Sequence, residues 1–263
     1  MSKVRLYNHN IWGWTVGDRL HVINALIRRE DADICTMQEF NPVNVRGASI
    51  PLQDLLDDTY AEACKKLSPT THLAVFYKRD RFDEVDSGLH LFDGKNDSNS
   101  KGVMWAVLKD KNTSELIGVA STHFWWEFKE EQDEIQRVQN ATDLYNVISK
   151  VKEKYDIPFV IAGDLNSGII APQRADGYEQ MLRLGLKDVR HIAKVSTDTL
   201  TLHDYPTMQD DGTYTPGPMP NEIIDHAFVT ADYDKQIDKF SVLVDDDARR
   251  TSDHCPLIVD YNI

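Results

Sequence analysis

The sequence predicts an α/β fold, a four-layer sandwich of two mixed β-sheets packed face to face with helices outside. Three observations point there. Strand-like apolar runs outnumber helical stretches. The strands occur both as hairpins and in strand, helix, strand alternation. No Pro/Gly/Ser-rich linker or low-complexity block interrupts the 263 residues. That length suits one large α/β domain, so a single domain over 1–263 is expected.

The elements follow in order. Val4 to Tyr7 begin a strand that stops at the polar "NHN". Asp18 is placed to cap a helix whose apolar residues Leu20, Ile23, Leu26 and Ile27 recur at helical spacing. "DICTMQEF" reads as a second strand and "HLAVFYKRDRF" as another, while "VMWAVLKD" and "LIGVASTHF" form a pair joined by the turn "KNTSE". From about Lys129 to Lys154 the period is helical, with Ile135, Val138, Tyr145, Ile148 and Val151 along one face and Pro158 beyond the end. "FVIAGDLNS" opens as an apolar run with β-branched members, the pattern of a strand covered on both faces. A short helix around "GYEQMLRLGL", a long polar loop over about 197–221, and the strands "IIDHAFVT", "KFSVLVDD" and "HCPLIVDYNI" complete the chain.

Composition narrows the function classes. Hydrophobic residues at 41% and charged residues at 27% are the balance of a soluble globular chain. No apolar segment is long enough to span a membrane. "MSKVRLYNHNIWGW" lacks the apolar core of a signal peptide, so a cytoplasmic location is expected. Three widely spaced cysteines, Cys35, Cys64 and Cys255, argue against a disulfide framework and a paired-cysteine zinc site. A net charge of −14 repels a polyanion, which disfavours nucleic acid as a partner while leaving room for a local basic groove.

Six apolar runs border the same kind of residue: Asn10, Glu39, His123, Asp164 with Asn166, Asp225, and Asp253 with His254. One such boundary is a turn, since Asp and Asn bond readily to nearby backbone. Six of them suggest a shared pocket at one edge of the sheets. Oxygen ligands from Asn and Glu, without thiolates or a close histidine pair, suit a hard cation such as Mg²⁺ or Mn²⁺. An Asp free of the cation can orient or deprotonate water, and Asn and His can donate to a charged transition state. Together these are the parts needed to hydrolyse a phosphate ester.

The motifs "NHNIWG", "MQEF", "STHF", "AGDLNS", "IDHAF" and "SDHCPL" also resemble, in order, those of the endonuclease/exonuclease/phosphatase superfamily, from Asn10 to Leu257. The resemblance implies that Asn10, Glu39 and Asp253 lie at the metal. It implies that Asp164 aligns or activates the attacking water and that Asn166 contacts the phosphate. His254 would donate to phosphate oxygens, oriented by Asp225, and His123 would help stabilise charge on phosphorus.

The substrate is less clearly written. Trp12 and Trp14 follow Asn10, and Trp125 and Trp126 follow His123, so Trp12, Trp125 and Trp126 are candidates for an aromatic rim that binds a sugar or base. The alternative is that at least two of these tryptophans are core. Acidic balance and the absence of a basic tract favour a small phosphorylated metabolite, such as a sugar phosphate. A nuclease of the same chemistry and an inactive binding module are the rival readings. The sequence carries no signal of oligomeric state.

Overall fold

A computed structural model describes residues 2–13, 19–40, 54, 56–67, 70–168, 174–197 and 199–263, with the backbone alone at 234 and 235. Asp18 and Trp14 lie outside the described residues.

One sheet has seven strands: β1 (Lys3–Asn10), β2 (Ile34–Gln38), β3 (Tyr60–Glu62), β4 (Leu73–Lys78), β10 (Val195–Ser196), β14 (Ile237–Val242) and β15 (Leu257–Asn262), in the order β10-β14-β15-β1-β2-β4-β3. The other has six: β5 (Phe82–Leu91), β6 (Gly102–Asp110), β7 (Leu116–His123), β8 (Phe159–Asp164), β9 (Lys187–Asp188) and β13 (Asp225–Val229), in the order β5-β6-β7-β8-β13-β9. A small ribbon pairs β11 (Thr207–Met208) with β12 (Tyr214–Thr215). Both large sheets are mixed, with β1 parallel to β2 and β7 parallel to β8 among antiparallel pairs. The expected four layers follow from three apolar clusters.

Between the sheets lie Val4, Leu6, Ile34, Val119, Val160 and Ala162. Helix α1 (Arg19–Arg29) covers the outer face of the seven-stranded sheet by burying Leu20, Ile23, Leu26 and Ile27 against Tyr7, Cys35 and Met37. Helices α2 (Glu131–Tyr155) and α3 (Asp176–Arg183) cover the six-stranded sheet through Ala141, Leu144, Ile148 and Met181, packed on Phe159, Ile161 and Phe228. The period of two is visible in β8, whose Val160 and Ala162 face the other sheet while Phe159 and Ile161 face the helices. Full burial of Phe159, Val160 and Ile161 stabilises by about 1.5–3 kcal/mol each, so a polar residue in this run before its end would be costly.

The structure corrects three expectations. "HLAVFYKRDRF" is not one strand: the chain turns at Arg79 and Asp80, and β5 begins at Phe82. Polar "FDEVDSGLHL" hides a strand because β5 is a sheet edge and mostly uncovered. Helix α2 exposes Ile135 (51%) and buries Asp133, Gln136, Arg137 and Asn140 instead, because Asp133, Arg137 and Asn140 hold the segment after β7 and Gln136 holds Asp93 and Lys95 after β5. The long polar loop is partly ordered as the ribbon β11–β12, and Leu202 forms isolated bridges to Glu222 and His254.

Candidate active site

The stripes that form the inter-sheet core turn polar at one end. In β7 the inward series Ile117, Val119, Ser121 ends at His123, and in β8 Val160 and Ala162 lead to Asp164. In β13, Val229 and Ala227 lead back to Asp225, which begins that strand rather than ending it. Register sets the three side by side, since Asp164 pairs with His123 on one side and with Asp225 on the other. Gly163 permits this closeness, because a Cβ there would meet Thr122 O at 2.0 Å.

From the opposite sheet, Val4 and Leu6 in β1 lead by the same alternation to Asn10. Asn10 Nδ2 donates to Asp164 Oδ2 at 2.9 Å and to Glu39 Oε1 at 3.3 Å, tying the two sheets together at the site. Its Oδ1 accepts from the Trp12 N–H at 3.1 Å, so Asn10 presents its donor, not its carbonyl, to Glu39. Gln38 faces inward on Ser121, so a further extended residue would point outward toward α1. Glu39 instead has φ +55°, which breaks the alternation and lets its side chain line the cavity. Trp12 and Asn166 share this left-handed backbone, at φ +49° and +47°. Such outliers cost on the order of 1–3 kcal/mol and gather at functional sites. The loop after β1 passes close enough that a Cβ on Gly13 would sit 1.9 Å from Glu39 O.

His254 precedes β15 and is fixed by its neighbours. Its N–H donates to Ser252 Oγ, its carbonyl meets His9 Nε2 at 3.1 Å, and Ser252 Oγ donates to Asn10 O at 2.7 Å. His254 Nδ1 lies 2.9 Å and 3.1 Å from the two oxygens of Asp225. Nε2 is thereby left toward Asp164 Oδ2 at 3.8 Å and Asp253 Oδ1 at 4.0 Å. Burial opposes the imidazolium, but Asp225, Asp253 and Asp164 together raise the His254 pKa well above its ordinary value.

Asp164 is 1% exposed. Burial disfavours its charge, yet His254, the hydrogen bond from His123 and the charge of Lys101 hold it below the usual carboxylate range. Its Oδ1 accepts from the Asn166 N–H at 2.8 Å, so the turn after β8 is real and also aims the carboxylate. Asp253 behaves oppositely: burial raises it to about 6, with Glu39 adding to the rise and His254 opposing it.

A cavity of about 350 Å³ gathers Glu39, His123, Asp164, Asn166, Asp253 and His254, with Asn10 and Asp225 directly behind. Among the described residues, one trio could hold a metal ion by proximity: Asp164, Asp225 and His254. In that trio His254 Nδ1 is already engaged by Asp225, so two of its members share a proton rather than an open coordination position. The donor set that fits a hard cation centres on Glu39, whose Oε2 is buried without a hydrogen-bond partner among the described residues, with Asp253 sharing the cavity.

The tryptophans divide. Trp12 and Trp126 line the cavity, Trp12 stacked on Tyr205 at 4.6 Å between ring centres. Trp125 does not line it. Its indole is buried, donating from Nε1 to Asp133 Oδ1 at 2.8 Å, and Asp133 also caps α2 by accepting from the Glu130 N–H. The pull of a buried hydrogen bond on an indole N–H explains the departure from the expected rim position.

Residues without a motif also line the cavity, among them Asp97, Lys101, Phe128, Arg174 and Tyr205. Arg174 bonds to Glu222 and lies over the Phe128 ring, whereas Arg137 is turned into the core, holding the carbonyls of Trp125 and Glu127. No element of sequence pattern marks Lys101 or Tyr205, which reach the cavity through register and loop packing. Among the described residues, no helix is long and apolar enough to cross a membrane.

The sequence matches no protein-family model, and no curated protein matches it either. Solved structures do match along the whole chain. An endonuclease/exonuclease/phosphatase family protein from Bacteroides thetaiotaomicron aligns with TM-score 0.74 at 18% identity, covering 100% of this chain and 99% of that one. A mannosyl-6-phosphatase from the same organism aligns with TM-score 0.74 at 18% identity, covering 99% and 100%. TDP2 from D. rerio, complexed with a single-strand DNA product, aligns with TM-score 0.68 at 16% identity, covering 100% of each chain. The chain thus has the fold of the endonuclease/exonuclease/phosphatase proteins.

Proposed function

We propose that the protein is a phosphoester hydrolase that uses a divalent cation, Mg²⁺ or Mn²⁺, and water as the nucleophile. The observation that carries this reading is the buried chain Asp225, His254, Asp164 sharing a cavity with Glu39, whose Oε2 has no partner among the described residues. Glu39 would hold the cation, with Asp253 beside it and Asn10 tying Glu39 to Asp164. The cation, when bound, supplies Lewis-acid polarisation of a phosphoryl oxygen.

The remaining chemistry belongs to side chains. A carboxylate held below its usual range is a weak base, so Asp164 aligns the attacking water by accepting its hydrogen bond more than it abstracts its proton. His254, charged and locked through Nδ1, donates from Nε2 to a phosphoryl oxygen as negative charge builds there. Asn166 and His123, which line the same cavity, would donate to the same group.

A small phosphorylated metabolite, such as a sugar phosphate, fits best. The cavity is about 350 Å³, its rim carries Trp12, Trp126 and Tyr205 for stacking on a sugar face, and the chain's net charge is −14. The likeness to a mannosyl-6-phosphatase supports this reading, while the likeness to TDP2 with its DNA product keeps a nuclease as the second one. A panel of phosphomonoesters, phosphodiesters and DNA, run with Mg²⁺, with Mn²⁺ and with chelator, tests it. Hydrolysis that persists in chelator overturns the cation. Silence across the panel favours a binding module. Rates on DNA that collapse as salt rises from 50 to about 200 mM favour the nuclease.

A further inference from the structure

Lys101 immediately precedes β6 and is 3% exposed. It is no loosely held surface lysine. The Asn96 side chain brackets its backbone, accepting from the Lys101 N–H at 3.1 Å and donating to its carbonyl at 2.8 Å. The next residue, Gly102, pairs in register with His123, and this brings Lys101 Nζ to 2.8 Å from His123 Nε2 and 3.4 Å from Nδ1. Among the described residues no carboxylate forms an ion pair with it, and Glu39, Asp97 and Asp164 act only through space. Among the described residues its direct partner is the His123 ring, whose Nε2 also lies 3.3 Å from Asp164 Oδ2, and burial lowers the Lys101 pKa, a desolvation cost that a bound anion would offset.

We propose that Lys101 is a substrate-binding residue for a terminal phosphate, pairing with the second negative charge of a phosphomonoester so that the site selects monoesters over diesters. The inference rests on the phosphoester-hydrolase reading above. A monoester phosphate has three free oxygens and, above a second pKa of about 6, two charges. A diester has two free oxygens and one charge. His254, Asn166 and His123 suffice for the latter; a buried extra cation lining the same cavity matches the former.

The test compares p-nitrophenyl phosphate with bis(p-nitrophenyl) phosphate under Mg²⁺, in wild type, Lys101→Met and Lys101→Arg. Wild type should prefer the monoester. Lys101→Met should lower kcat/KM on the monoester about 100-fold, largely through KM, and on the diester tenfold or less, with Lys101→Arg recovering most of the loss. Inorganic phosphate should inhibit wild type, and dimethyl phosphate should not, a measurement that stands even if Lys101→Met fails to fold. A wild type that prefers diesters, equal losses on both substrates, or equal inhibition by the two phosphates overturns the assignment of Lys101 alone. Wild type inert on both esters overturns the hydrolase reading itself.

Discussion

Substituting Glu39 by glutamine should stabilise the metal-free protein while removing its response to Mg²⁺. Glu39 Oε1 already accepts from Asn10 Nδ2, and glutamine keeps that oxygen. The other oxygen, Oε2, is buried without a partner among the described residues, and the charge it shares adds to the rise that burial imposes on Asp253. Neutralising the side chain relieves the desolvation of a buried oxygen and the repulsion of Asp253, against a lost attraction to Lys101 and Arg19, a net gain of about 1–2 kcal/mol. The positive φ at 39 is unchanged by the substitution, so its strain cancels. For a chain of this length 1 kcal/mol moves Tm by about 2–4 °C, giving a rise of about 2–8 °C in chelator.

Wild type should behave in the opposite way. A cation at one hundred times its Kd adds about 2.7 kcal/mol, roughly 5–10 °C, and Glu39→Gln should lose nearly all of that increment. Scanning calorimetry of both proteins, each in chelator and in excess Mg²⁺, reads the four values. A Glu39→Gln protein that melts lower than wild type in chelator, or that keeps the Mg²⁺ shift, would refute the placement of the cation.

Further outcomes are expected. Asp164→Ala and His254→Ala should each lower kcat at least ~100-fold while thermal unfolding stays cooperative, and full activity in either removes its role. Asp225→Asn should lower kcat by about 10–100-fold through His254, leaving KM nearly unchanged, because it takes away the charge that holds the ring. Trp125→Phe should cost about 1–3 kcal/mol in urea unfolding by orphaning part of the Asp133 cluster, with KM unaltered; a raised KM would return Trp125 to the rim. Asp188 is held below its usual range because His226, the Arg190 N–H and Tyr178 outweigh burial. A depressed folded pKa gives stability that is present above the unfolded value of about 3.9 and is lost as pH falls through the folded one. Asp188→Asn should therefore be less stable than wild type at pH 7, and the gap should narrow in melts below about pH 4.

What the sequence made legible follows burial. β8 is covered on both faces and reads as an unbroken apolar run up to its end, β2 keeps Ile34, Cys35 and Met37 between buried Thr36 and Gln38, and α1 shows its buried face directly. β5 was invisible because an edge strand with a bulge between Glu84 and Asp86 need not alternate. The burial of Arg137 and Asn140 in α2 was invisible for another reason: polar residues are buried there to hold the chain that leaves β7. Within the site, the motif residues could be named singly, but Lys101 could not. Its position depends on Gly102 facing His123 across the sheet, 21 residues away, which no local pattern encodes.

The polar end of "FVIAGDLNS" is best understood as the end of a core stripe rather than as an interruption of it. Val160, Ala162 and Asp164 share one face of β8, and that face looks at the other sheet. Burying an Asp there is tolerable only where donors converge, and they come from both sheets: Asn10 from β1, His123 from β7, and the Asn166 N–H from the turn. A one-residue slip of β8 would send Asp164 to the helix side and Gly163 to the cavity, leaving Asn10 without its acceptor. The apolar register that stabilises the sandwich therefore also sets the position of its most demanding carboxylate. Glu39 is the exception that the register cannot supply, since alternation sends it outward. The positive φ there is the local cost of bringing another carboxylate into a space that already holds Asp164 and Asp253, where its charge adds to the rise of Asp253.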